Sequence, residues 1–250
     1  MRSLLCLCLC LAGPALALDD DRPDDRPEIA LLLDDLASRV KKSNRDDPRE
    51  NDAVKVISSL AEQWERSGDG DRDDIVRGLD RVFLAKRRAS KDGSRTTGIF
   101  IAAARALGNT GDDGAKKLLR WIGNKKHQDD VDLQRELVLA LGRTRSDRAV
   151  DALEDLLKED IPEVLGAAAT AIGELATKDL KVRKRLFESL LKSMESNQEN
   201  ARSQDSTAQA LWSALRGPGQ KTLASLSGSN QNGVESWRRW WNKNKRGSWE

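Results

Sequence analysis

The fold is decided by three short phrases between Phe100 and Met194: Ala104-Arg105-Ala106-Leu107-Gly108, Leu139-Ala140-Leu141-Gly142 and Thr170-Ala171-Ile172-Gly173. Each phrase is followed by a polar turn that contains an Asp, and then by an apolar run at helical spacing. This unit of helix, glycine, acidic turn and second helix recurs every 31 to 34 residues, which is typical of an α-solenoid. The sequence therefore predicts an all-α solenoid of about four to five helical hairpins over residues 47–234.

The unit around Gly142 shows why the helices need one another. Leu133, Leu137 and Leu141 lie at i, i+4 and i+8 and share one helical face. We expect Gly142 to end this helix as a C-cap and Asp147 to cap the start of the next helix. Helices of this length are marginal alone in water, so the apolar faces must pack against the partner helix and the neighbouring hairpins.

The recurring pattern A-x-A-[L/I]-G, polar turn, Asp and apolar helix resembles the HEAT-like repeats of the short kind, also found in phycobilin lyases. The resemblance is best over residues 95–194. It implies a HEAT- or armadillo-like superhelix and a role in protein binding, but the fold alone assigns no activity.

Residues 1–17 have the three parts of a secretory signal peptide. Arg2 supplies a positive charge, Leu4 to Leu11 are apolar, and Ala15-Leu16-Ala17 fits a cleavage site. We therefore predict cleavage near Ala17 and export to the periplasm or the extracellular space. An uncleaved anchor is the alternative, although the apolar run is short for a membrane span.

Composition excludes several classes of function. All three cysteines lie inside the predicted signal peptide, so the mature chain has no thiol for a disulfide, a thiolate metal site or a nucleophile. The chain has 43 basic and 41 acidic residues, and this near-neutral balance argues against general nucleic-acid binding.

Three segments lie ahead of or within the first hairpin. Residues 18–28 form an acidic tether, predicted to be a disordered lead-in, and residues 29–46 form a leading amphipathic helix. Within the first hairpin, an acidic stretch places carboxylates at positions one, three, five and twelve of a calcium loop. Its members are Asp69, Asp71, Asp73 and Asp80. An acidic turn that caps the next helix is the alternative.

Catalytic constellations are not evident in the sequence. His127 is the single histidine, and we expect it to be a solvated loop residue. One histidine does not match the paired His-Glu motifs of the HEAT-repeat hydroxylases. Since no phosphate loop or nucleophile elbow is present either, we predict that the protein is not an enzyme and binds no cofactor.

The predicted function is a protein-interaction scaffold of the bacterial cell envelope. In this architecture the second helix of each hairpin usually lines the concave side, so we expect its charged residues to contact an unidentified protein partner. These candidates are Lys116, Lys117, Arg120, Asp151, Asp155, Lys158, Arg183, Lys184 and Glu188.

The tail, residues 235–250, supports two interpretations. Trp237, Trp240 and Trp241 fall at i, i+3 and i+4, on one side of a helix, beside Arg238 and Arg239. In the first interpretation the rings close the end of the solenoid, because each can bury roughly 150–250 Å². In the second, these five residues bind an anionic lipid or cell-wall polymer. The two interpretations can also hold together, with Trp237 and Trp241 inside and Trp249 and the basic residues outside.

Overall fold

A computed structural model describes residues 22–42, 49–86, 97–175, 177–203 and 205–249. The predicted signal peptide, residues 18–21 of the tether and residues 43–46 of the leading helix lie outside these ranges. The helices are α1 (Pro27–Lys42), α2 (Arg49–Trp64), α3 (Asp69–Val82), α4 (Gly98–Leu107), α5 (Gly111–Trp121), α6 (Val131–Arg143), α7 (Val150–Leu156), α8 (Pro162–Glu174), α9 (Leu180–Asn200), α10 (Ser206–Ser227) and α11 (Val234–Asn244).

The predicted α-solenoid is confirmed. Hairpins α2–α3, α4–α5, α6–α7 and α8–α9 stack side by side, and α10 and α11 complete a fifth layer. The first helices, α2, α4, α6, α8 and α10, form one row, and the second helices form the other. Every regular element between Gly98 and Asn200 in the described part is helical, and one continuous apolar core runs between the two rows.

The three glycines of the recurring phrase set the distance between neighbouring first helices. A Cβ added at Gly108 would lie 3.0 Å from the Ala140 carbonyl oxygen, and one at Gly142 would lie 2.5 Å from the Ala171 Cα. At Gly173 it would lie 2.8 Å from the Thr222 hydroxyl. Each glycine therefore admits the backbone or a short side chain of the next repeat.

This finding corrects the predicted role of Gly142. The glycine lies inside α6, which continues to Arg143, so it is a packing residue and not a C-cap. Ser146, and not Asp147, caps the following helical turn: its Oγ accepts from the Arg148 amide at 3.2 Å.

Neighbouring second helices contact one another through ion pairs between side chains, such as Arg120 with Asp80 and Arg185 with Glu154. The close approach of backbone at Gly108 and Gly142 joins first helices instead.

Residues 22–28 are docked, which contradicts a disordered lead-in for this part of the tether. The Asp24 carboxylate accepts hydrogen bonds from the Gly70 and Asp71 amides at 2.9 and 2.6 Å. These bonds lower the pKa of Asp24 and cap the start of α3. The Arg26 guanidinium lies 3.1 Å from the Asp71 carboxylate.

The last long helices run through segments that the sequence predicts to be breaks. The polar residues from Glu195 onward predict a loop, but α9 continues to Asn200. Gly217-Pro218-Gly219 is predicted to end the next helix, but α10 runs through it to Ser227. Proline has a helix-compatible φ but no amide hydrogen. Because Leu215 and Leu223 are buried on either side of Pro218, tertiary contacts hold the helix across it.

Replacing Gly142 with Ala tests the glycine contact. The new methyl group would meet the Ala171 backbone, which cannot move aside as a side chain can, so we expect the free energy of unfolding to fall by about 1–3 kcal/mol. Chemical denaturation measures this difference. Gly98→Ala is the control, because only the Glu50 side chain lies near its new methyl group and the change should stay within about 1 kcal/mol. Equal effects of the two substitutions would contradict the proposed role.

Candidate interaction surfaces

The second-helix candidates of α5 are occupied by contacts to the preceding hairpin. Asp80 of α3 is 7% exposed. Its carboxylate accepts from the Arg120 guanidinium at 2.7 Å and from Trp121 Nε1 at 2.8 Å, and Lys117 Nζ lies 3.7 Å away. Since a buried carboxylate needs such partners, Arg120 and Lys117 stabilise the join between the two hairpins.

The candidates of α7 and α9 also make contacts within the protein. Asp151 forms an ion pair with Arg185 of α9. Asp155 pairs with Lys158 at 2.7 Å, and Glu188 lies 3.0 Å from Lys192. Lys116 similarly lies 2.9 Å from Asp113. Such short-range exposed pairs contribute little to stability and leave the side chains accessible.

Arg183 and Lys184 hold the end of the chain. Arg183 Nε donates to the Leu226 carbonyl at 2.9 Å, and Lys184 Nζ donates to the Gly247 carbonyl at 2.6 Å. Both cations lie within 6 Å of the Trp249 ring, at 5.8 and 5.7 Å from its centroid. The second-helix candidates are thus distributed over separate internal contacts and do not form one site.

Phe187 of α9 is the centre of an aromatic cap. Its ring centroid lies 5.2–5.7 Å from those of Trp237, Trp240, Trp241 and Trp249. Trp237 is fully buried, Trp241 is 5% exposed and Trp249 is 8% exposed. The expectation that Trp249 lies outside is therefore wrong, and burial removes Trp237 and Trp241 from contact with an envelope surface.

The basic residues next to the cap differ in environment. Arg238 donates from Nε to Glu195 Oε1 of α9 at 2.6 Å, so it joins α11 to the solenoid. Arg239 is exposed and lies 4.0 Å from Glu235. The arrangement agrees with the first interpretation of the tail, in which it closes the last layer.

The calcium interpretation of the acidic stretch is wrong. Asp69, Asp71, Asp73 and Asp80 all lie in α3, and a helix directs these side chains to different sides instead of wrapping them around an ion. Asp71 contacts Arg26 and Asp80 contacts Arg120. Within the described ranges, no three His, Cys, Asp or Glu residues form a group that could hold a metal ion.

His127 is a core residue, which corrects the expected solvated position. It is 7% exposed, its Nε2 lies 3.0 Å from the Phe83 carbonyl oxygen, and its ring packs against Phe100 and Trp121 at 4.8 and 5.6 Å. The loop 124–130 folds back over the α4–α5 hairpin and inserts this ring between the aromatic residues.

A charged network crosses the first-helix side and was not found by sequence reasoning. Glu136 of α6 is 4% exposed and accepts from Arg105 of α4 at 3.0 Å and from Arg143 at 2.9 Å. Burial alone would raise the pKa of Glu136, but the two arginines outweigh it and the pKa is lowered. The sequence does contain one indication that Glu136 is buried: its spacing places it between Leu133 and Ala140 on the apolar face of α6.

Glu174, at the end of α8, has the opposite electrostatic environment. Its Oε2 is buried without a hydrogen-bond partner in the described part of the chain. Burial raises the pKa of this carboxyl above its ordinary value of 4.5, and this effect outweighs the opposing charge of Arg143. The ionised form is therefore unfavourable in the folded protein.

The exposed stripes of the first helices follow one another without interruption, and we call this surface the first-helix face. Its members, exposed or half-buried, are Ile101, Arg105, Arg135, Leu139, Gly166, Thr170, Ser213 and Gly217. They combine apolar, small and basic side chains along four adjacent helices.

Comparison with known proteins agrees with this architecture. Residues 124–212, from the loop before α6 into α10, match the family model described as HEAT repeats. This part of the chain consists of HEAT-like repeats. No curated protein and no solved structure gave a significant match.

HEAT repeats generally mediate contacts between proteins and are typically not catalytic. Partners of this HEAT-like protein are therefore expected to be proteins. None of its described helices is long and apolar enough to cross a membrane.

Replacing Trp237 with Ala tests the aromatic cap. Removing a fully buried indole should lower the free energy of unfolding by about 3–5 kcal/mol, as measured by denaturant titration. Arg239→Ala, at an exposed position of the same helix, should change it by less than about 0.5 kcal/mol. A small effect of Trp237→Ala would mean that α11 does not close the solenoid.

Glu174→Gln should stabilise the protein at pH 7. The raised pKa means that the ionised carboxylate disfavours folding above that pKa, and that this effect vanishes below pH 4.5, where the carboxyl is protonated in both states. Melting temperatures from pH 4 to pH 8 should therefore show a gain at neutral pH that shrinks on acidification. Glu159→Gln, at an exposed position, provides the control. A gain that grows toward pH 4 would contradict this account.

Proposed function

We propose that the protein is a non-enzymatic interaction scaffold of the bacterial cell envelope, which binds a partner protein through the first-helix face. One observation carries this proposal: the HEAT repeats align their first helices into an uninterrupted surface across α4, α6, α8 and α10. A surface built from several repeats can contact an extended stretch of a partner, as repeat proteins commonly do.

The chemistry of the first-helix face suits a protein partner. Ile101 and Leu139 are half-buried and offer apolar contacts, while Arg135 is exposed and offers a cation. Gly166 and Thr170 have no side chain or a short one, so a partner could approach the backbone of α8 closely. Arginine and apolar groups at the centre of a patch are typical of protein interfaces.

The second-helix residues are less suited to this role. Arg120 and Arg183 bind groups of the protein itself, and a partner would have to break these contacts first. Asp155 and Lys158 remain accessible, but their pair neutralises itself.

The envelope location rests on residues 1–17 of the sequence. Their basic start, apolar run and Ala-Leu-Ala site support export with cleavage near Ala17. An export assay with a reporter that is active only outside the cytoplasm, fused after residue 28, tests this part alone. Activity in the cytoplasm only would remove the envelope from the proposal.

Site-specific photo-crosslinking tests the surface. A photoreactive amino acid replaces Arg135 or Thr170 of the first-helix face in the full chain, in the cells that produce it. We expect adducts of the same added mass from both positions. The matched controls are Lys158 and Glu159, which are exposed at the end of α7 and should give none. Adducts from the controls alone would move the binding surface to the second helices, and their absence from all four positions would contradict the scaffold.

A further inference from the structure

Two consecutive repeats make the same turn with different residues. Gly108-Asn109-Thr110-Gly111 and Gly142-Arg143-Thr144-Arg145 occupy equivalent places at the C-terminal ends of α4 and α6. The fourth residue has a positive φ in both turns, 61° at Gly111 and 53° at Arg145. This conformation suits glycine and strains a residue with a side chain. The turn itself therefore does not require an arginine at position 145.

Arg145 lines a cleft of about 540 Å³ between the turns of three repeats. Glu62 and Glu65 line it from the end of α2, and Asn109, Arg143 and Arg145 line it from the two turns. Trp64 also lines the cleft, and its ring is held by the Arg72 guanidinium at 4.6 Å from the centroid. We call this site the turn cleft.

Acidic and basic side chains line the turn cleft without being paired with one another. The charge of Arg145 also reaches Glu174, where it opposes the rise in the pKa of that carboxyl. Among the described residues, Glu62, Glu65 and Arg145 form no ion pair, whereas Arg143 is already bonded to Glu136. Opposite charges therefore face one cleft without meeting. An anion alone would be repelled by the glutamates at the end of α2, and a cation alone would be repelled by the arginines.

We propose that the turn cleft binds an extended peptide segment that carries an acidic and a basic side chain, with its carboxylate at Arg145 and its cation at Glu62 and Glu65. The proposal rests on the proposed function as a protein-binding scaffold and names the chemistry of the segment. A guanidinium that binds a carboxylate in two-point geometry explains why a strained arginine stands where the preceding repeat has glycine.

Three blocked peptides serve as probes: Lys-Ala-Asp-Ala-Lys-Ala-Asp, the same peptide with Asn for Asp, and the same peptide with Gln for Lys. The readout is the indole N–H resonance of Trp64 in the full mature chain, assigned with Trp64→Phe. Trp64 lines the cleft, so its indole resonance is sensitive to a ligand bound there. We expect the mixed-charge peptide to shift this resonance until the shift saturates. Each peptide that carries charges of only one sign should bind at least tenfold more weakly.

Arg145→Gly separates binding from folding. Glycine relieves the positive φ, so the melting temperature should stay equal or rise, while the mixed-charge peptide should bind at least tenfold more weakly. Arg81→Ala, an exposed arginine of α3 that does not line the turn cleft, is the control and should leave binding unchanged. Glu62→Gln combined with Glu65→Gln should weaken the mixed-charge peptide and bring its affinity to that of the acidic peptide.

Three results would overturn the proposal. The first is the absence of a saturable shift with the mixed-charge peptide. The second is that a peptide with charges of only one sign binds as tightly as the mixed-charge peptide. The third is that Arg145→Gly binds the mixed-charge peptide as tightly as the unchanged protein does. The photo-crosslinks proposed above for positions 135 and 170 test the first-helix face and do not depend on the turn cleft, because neither residue lines it. If they form while the peptides fail, the scaffold stands and only the turn cleft is wrong.

Discussion

Backbone contact between neighbouring first helices is the constraint on which this structure depends. Gly108, Gly142 and Gly173 each leave room for the next repeat, and at Gly142 the gap is too small for any side chain. Small residues on the facing helices, such as Ala140 and Ala171, complete these contacts. The bulky apolar residues are consequently directed between the two rows, where they form one core. The spacing of the hairpins and the continuity of the first-helix face both follow from these contacts.

Electrostatics divides the two sides of the solenoid. On the second-helix side, ion pairs such as those of Asp80 and Arg185 join adjacent hairpins. On the first-helix side, Glu136 is stabilised by two arginines, whereas Glu174 Oε2 has no hydrogen-bond partner among the described residues. The charges of the second helices thus serve mainly the assembly of the repeats, whereas the turns of the first helices include charged groups that form no ion pair with one another, such as Glu62 and Arg145.

The sequence predicted the repeats correctly because their period and apolar spacing depend on local pattern. It predicted the aromatic cap as one of two interpretations, since burying several indoles stabilises more than exposing them. It failed where tertiary contacts override local preference: Pro218 does not end α10, and Gly142 does not end α6. His127 and Glu136 were missed because their burial depends on partners in other repeats, Phe83 and Arg105 respectively. No local pattern shows that Arg145 has a positive φ.

The aromatic cap also limits how this protein can lengthen in evolution. Phe187 and its four tryptophans present rings to the last layer, and not the glycine and alanine surface onto which another hairpin stacks. A duplicated repeat added after α11 would find no complementary neighbour. New repeats could instead be accommodated by insertion within the interior of the array, where each hairpin already offers a matching surface on both sides.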